Sequence, residues 1–123
     1  MNGEARDFHG MAAFVCAADG PPLNSEKEAV DIIGEAFSIE ARLVVIPVGR
    51  LGPGFLRLSS RLAGEVLQKF VNYGIRVAIV GDIAKAVAES TALRDFVRES
   101  NRGRWVWFLP DEAALEQQLA AQP

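Results

Sequence analysis

The chain has 123 residues, half of them hydrophobic and 24% charged, with a formal net charge of −3. That size suits one domain that buries about two thirds of its unfolded surface. The acidic balance argues against a dedicated nucleic-acid binder and against docking on anionic lipid, though not against a local basic patch.

Hydrophobic periodicity gives alternating strands and helices. Residues 4–9 read as a short first strand, turning at His9-Gly10 into a firmer one over 12–17. The only cysteine, Cys16, lies in that apolar run, and a lone thiol excludes an internal disulfide and fits a reducing compartment. His9 is the only histidine; the two read as a turn residue and a small buried strand residue, with no nucleophile pair implied. Asp19-Gly-Pro-Pro22 is a turn cluster. Ser25 with Glu28 is a capping box opening a helix whose inner side is Ala29, Ile32, Ile33, Ala36 and Phe37. Gly34 inside that helix suggests close packing on the sheet.

Leu43–Val48 follows as a strand apolar on both faces, limited by Pro47, which has no N–H for a ladder. Gly49–Gly54 carries three glycines and a proline and reads as the most flexible segment; it lacks the Gly-Lys-Ser/Thr ending of a phosphate loop. A long helix is predicted from Phe55 or Leu58 to Tyr73, with Leu58, Leu62, Val66, Phe70 and Tyr73 inward and Gly74 as its stop. Residues 75–81 form the third apolar strand. Asp82 caps the next helix, which kinks or divides near Ser90 or Thr91 and ends at Asn101 and Gly103. Arg104–Leu109 is a last strand, with Trp105 and Trp107 on one face. Asp111 caps a final helix with Leu115 and Leu119 inward, and the Gln/Ala tail is expected to fray. The start has no basic segment followed by an apolar core, and no run reaches the ~18 apolar residues of a membrane span, so a cytoplasmic protein is expected.

Several polar residues stand out as candidate contacts. Glu65, Gln68, Lys69 and Asn72 share one exposed helix face, with Glu65 and Lys69 at a favourable i, i+4 spacing. Asp82 sits at a strand's carboxyl end, where open α/β sheets keep their crevice. Arg94 belongs to a mixed-charge helix terminus with Asp95, Arg98, Glu99 and Arg102, and it is one candidate for reaching the Asp82 mouth to hold an anion. No metal-ligand set, catalytic triad or cofactor loop is present in the sequence.

Five blocks carry a resemblance: Leu62-Ala-Gly-Glu-Val-Leu-Gln-Lys-Phe-Val-Asn-Tyr73, Ala78-Ile-Val-Gly-Asp82, Leu93-Arg-Asp-Phe96, Glu99-Ser-Asn-Arg-Gly103 and Phe108-Leu-Pro-Asp111. With them in this order the chain resembles, over nearly its whole length, a bacterial family catalogued as domain of unknown function 4180. That family has no assigned activity, so the resemblance implies no catalytic residue. More distantly, the order of elements is similar to the STAS-type domains, which include anti-anti-sigma factors. Those bind protein partners and can be switched by phosphorylation at the start of a helix after a buried strand. The resemblance implies Ser59 and Ser60 for that position, with Leu58 standing where such domains usually place an aspartate.

The expectation is a single α/β domain with four or five mostly parallel strands and about four helices, in a STAS-like order. It acts as a non-enzymatic cytoplasmic binding or regulatory module with a protein partner, and without nucleic acid, membrane, metal or cofactor. The alternative is a small-molecule-binding protein or small enzyme using Asp82, Lys69 and Arg94 at the strand ends. A third expectation is a homodimer formed through an edge strand or an apolar helix face.

Overall fold

The computed structural model describes residues 2–121. Its sheet has five strands, β1 (Gly3–Phe8), β2 (Met11–Cys16), β3 (Leu43–Pro47), β4 (Arg76–Val80) and β5 (Val106–Leu109), whose spatial order equals their chain order. β1 and β2 form an antiparallel hairpin and every later pair is parallel. The hairpin closes on His9 and Gly10 with φ of 53° and 84°, the two left-handed residues of a type I′ turn.

Five helices connect or follow these strands among the described residues: α1 (Glu26–Ser38), α2 (Leu62–Asn72), α3 (Ala84–Glu89), α4 (Thr91–Arg102) and α5 (Glu112–Ala121). Parallel crossovers share one hand. When each crossover also steps to the next strand in the same direction, all the connecting helices fall on one face of the sheet. Accordingly, Phe14, Cys16, Val44, Ile46, Val77, Ile79 and Phe108 pack against α1 and α2, with Phe96 and Val97 of α4 at the margin. The alternate strand residues Phe8, Ala13, Leu43, Val45, Ala78 and Trp107 form a second, smaller core, closed by Leu115 and Leu119 of α5. Burial on both faces is why β3 reads as an unbroken apolar run.

Local chemistry sets the helix ends. Ser25 caps α1 through its hydroxyl to Lys27 N–H at 3.2 Å, while Glu28 Oε1 accepts from Asn24 N–H and Ser25 Oγ. α2 ends in a Schellman motif: Gly74 at φ 73° donates to Val71 O, and Ile75 N–H to Phe70 O. Ser90 divides α3 from α4 and accepts from Leu93 N–H at 3.1 Å. Asp111 caps α5 through Ala114 N–H at 2.8 Å.

Five sequence expectations are corrected. The helix expected from Phe55 or Leu58 begins only at Leu62: Leu58–Ser60 is a separate 3-10 turn, and Arg61 at φ 63° breaks the path. Phe55 is fully buried, which ties this approach segment to the core. The Gly49–Gly54 segment is pinned, since Leu23 N–H donates to Arg50 O at 2.7 Å and Gly52 N–H to Leu23 O at 3.1 Å. Phe37 and Tyr73 lie outside their inner stripes, 49% and 51% exposed, and meet each other edge-on with centroids 6.0 Å apart. Gly34 faces outward, and a Cβ there would meet nothing within 4 Å, so it serves no packing on the sheet. The tail expected to fray is helical through Ala121; residues 122 and 123 lie outside the described residues.

β5 is an edge strand. Trp107 is fully buried with its Nε1 donating to Gly103 O at 2.9 Å, while Trp105 is 41% exposed. The Asn101 side chain covers the outer edge, accepting from Phe108 N–H at 2.7 Å and donating to Phe108 O at 3.1 Å. A side-chain amide thus takes the place of a sixth strand's peptide. At the opposite edge β1 is charged, and Arg6 forks onto Glu112 of α5 with both contacts at 2.9 Å.

Candidate functional site

Two surfaces stand out. The first is the outward face of α1 and α2. Glu65, Gln68, Lys69 and Asn72 come together there as the spacing predicts, joined by Glu26 of α1. Lys69 Nζ lies 3.5 Å from Glu26 Oε1, and Gln68 Nε2 donates to Asn72 Oδ1 at 2.9 Å. The aromatic pair Phe37 and Tyr73 sits at the foot of the same two helices, and Val30, about two turns before Phe37 on the same side of α1, is 44% exposed.

Asp82 stands at the carboxyl end of β4 as expected, its Oδ1 accepting from Ala84 N–H at 2.9 Å. The depression around it, lined by Leu56, Asp82, Ile83, Lys85, Ala86 and Glu89, contains neither Lys69 nor Arg94. Arg94 contacts its neighbour Asp95 at 3.4 Å. The three residues of the strand-end alternative are therefore held in three separate pairings. Topology supplies the reason: a crevice opens where the strand order reverses, and this order never reverses.

Both serines are exposed; Ser60 Oγ lies within hydrogen-bond distance of Gly54 O, Arg57 O and Leu62 N, whereas the Ser59 side chain has no hydrogen bond among the described residues. Burial pushes the Cys16 thiol up to about 12, against the opposing pull of the Arg50 guanidinium. Such a thiol is a packing residue.

The second surface is at the opposite end of the sheet. His9, Gly10, Met11, Ala12, Arg42, Arg76 and Leu119 enclose about 450 Å³ beneath the hairpin turn, at the amino ends of β3 and β4. Among the described residues, the side chains of His9, Arg42 and Arg76 have no hydrogen-bond or ion-pair partner. The Arg76 guanidinium lies over the Trp105 and Trp107 rings at 5.9 and 6.0 Å from their centroids.

A family model described as "Domain of unknown function (DUF4180)" matches residues 8–119, nearly the whole chain. The chain belongs to the DUF4180 family. No curated protein matches it, and no solved structure matches it.

Two features of this DUF4180 domain escape a reading by periodicity. Arg42, Arg76 and Arg104 each stand at or just before the start of a parallel strand. Parallel strands begin at the same end of a sheet, so that repeated placement was a legible sign of a basic rim. Arg50 gave no such sign. It is 3% exposed, with Nε donating to Pro21 O at 2.8 Å and Nη1 to Ala17 O at 2.8 Å and Asn2 O at 3.2 Å.

Proposed function

We propose that this DUF4180 domain is a non-enzymatic regulatory module of the bacterial cytoplasm that binds a protein partner through the outward face of α1 and α2. One observation carries the reading: Val30, Phe37 and Tyr73 are three of the four large apolar side chains exposed among the described residues, and all three lie on this layer. Aromatic groups ringed by polar ones are the usual anatomy of a contact surface, and Glu26, Glu65, Gln68, Lys69 and Asn72 supply the ring. Gly34 leaves a notch between Val30 and Phe37 that suits one apolar anchor from the partner. A hairpin followed by parallel strands with their crossovers on one face is compatible with a STAS-like order of elements, which supports a binding role. On that reading Ser59 is the hydroxyl open to a kinase, because that of Ser60 is already engaged; phosphopeptide mapping from native cells checks it.

The test is a photo-crosslinking residue placed at Phe37 in native cells, with Glu89 of α3 as the control position. Capture of a discrete protein at 37 and not at 89, lost on Gly34→Gln, agrees with the proposal. Equal capture at both sites, or no effect of Gly34→Gln, refutes it. Crosslinking to a second copy of the chain replaces the separate partner by a homodimer.

A further inference from the structure

The cavity beneath the hairpin turn belongs to neither the helical face nor the strand ends that carry Asp82. Its polar side chains are those of Arg42, Arg76 and His9, with no carboxylate among the residues that line it. The sheet itself brings the two arginines together. Arg42 N–H donates to Ala12 O at 3.0 Å and Arg76 N–H to Arg42 O at 3.1 Å, so Arg42, the residue before β3, lies next to the start of β4, one position from Leu43, which pairs with Arg76. Among the described residues Arg6, Lys27, Lys69, Arg94 and Arg102 each lie against a carboxylate, while Arg57, Arg61, Lys85, Arg98 and Arg104 are scattered without one; what sets Arg42 and Arg76 apart is that they line one cavity. Here the counter-charge is lacking among the described residues. Arg76 is also positioned in advance, half-buried with its guanidinium over two indoles. Met11 and Leu119 add an apolar wall, and about 450 Å³ is the size of a small-metabolite site.

We infer that this cavity binds a small organic oxyanion, a phosphate monoester or a carboxylate with a compact apolar group. The anion is held by Arg42 and Arg76, and the apolar group rests on Met11 and Leu119. Each guanidinium presents a planar N–H fork that matches either oxyanion. A purely structural explanation is available as well. Leu119 brings the carboxyl end of α5 to the cavity, and that helix has no basic residue in its last turn, so the arginines could serve its exposed carbonyls. The two explanations differ in what substitution does to stability.

The experiment uses the whole chain, with phenyl phosphate, benzoate, inorganic phosphate and neutral benzyl alcohol as probes. Binding is read by calorimetry and by indole fluorescence, since Trp105 and Trp107 are the only tryptophans and both lie against Arg76. Saturable binding of at least one aromatic oxyanion is expected below about 10 mM, with benzyl alcohol inert. Arg42→Gln, at an exposed position, weakens it about tenfold or more and leaves the melting temperature unchanged; Arg98→Gln on α4 changes neither. Preference between phenyl phosphate and benzoate identifies which oxyanion is native. The proposal is overturned by no saturable binding of either oxyanion, by equal binding of benzyl alcohol, or by an Arg42→Gln variant that keeps its affinity, whether or not its stability falls.

Discussion

Replacing Arg50 by methionine tests whether its guanidinium organises the turn between β2 and α1. The side chain is 3% exposed and meets three main-chain carbonyls, those of Pro21, Ala17 and Asn2. Hydrogen bonds from a charged donor contribute about 1.5–3 kcal/mol each, but the three do not sum. Asn2 O keeps Ala17 N–H at 2.8 Å, and Ala17 O keeps Gly20 N–H at 3.4 Å; among the described residues only Pro21 O is left without a partner. Methionine also retains part of the packing and removes the cost of burying a charge. The net loss is about 2–4 kcal/mol, out of a total of about 6–18 kcal/mol for a chain of this length. Urea unfolding followed by the fluorescence of buried Trp107 reads it as a midpoint lowered by about 1–3 M with an unchanged slope. A double-mutant cycle sharpens the test. A Cβ on Gly20 would lie 2.6 Å from Arg50 Nη1 and 2.7 Å from Cζ, so Gly20→Ala destabilises the parent and much less the Arg50→Met background. Additive effects, or an Arg50→Met loss below about 0.5 kcal/mol, would refute the reasoning.

Gly34→Ala lies in a helix interior with open space around its Cβ, and denaturation should show a gain of about 0.5–1 kcal/mol. Leu115→Ala removes a fully buried side chain from α5, which covers the second core; a loss of about 2–4 kcal/mol and new binding of a hydrophobic dye are expected. Asn101→Ala uncovers Phe108 N–H and C=O, costing about 1–3 kcal/mol and producing concentration-dependent association in sedimentation runs. The Cys16 thiol, raised by burial from 9.0 to about 12, should resist alkylation at neutral pH until denaturant is added. Because its folded value is raised, its share of stability is complete below 9.0 and is lost as pH climbs through about 12. Alkaline unfolding that is unchanged in Cys16→Ala contradicts this.

The strands were legible because burial on two faces leaves little but apolar residues, as in Leu43–Pro47. The caps at Ser25, Ser90 and Asp111 were legible because each satisfies a helix terminus from within a few residues. The start of α2 was hidden, since a left-handed arginine at position 61 has no local sequence signal. It follows from where Phe55 must be buried, which is a tertiary fact. Phe37 and Tyr73 were misassigned for a related reason. Both sit at the border of an apolar stripe, where a helical period tolerates either side and packing decides. Of the candidate residues, the stripe on α2 was readable from spacing alone. The partners of Asp82 and Arg94 were not, because they depend on strand order.

That order also bears on how the polypeptide is made. Each parallel strand finds its docking edge among residues already synthesised, so a chain leaving the ribosome can add one layer at a time without waiting for distant segments. The last helix is the exception. Until Leu115 and Leu119 emerge, Phe8, Leu43, Val45, Ala78 and Trp107 have no cover, and a translation product stalled before that point would present a sticky surface to chaperones and proteases.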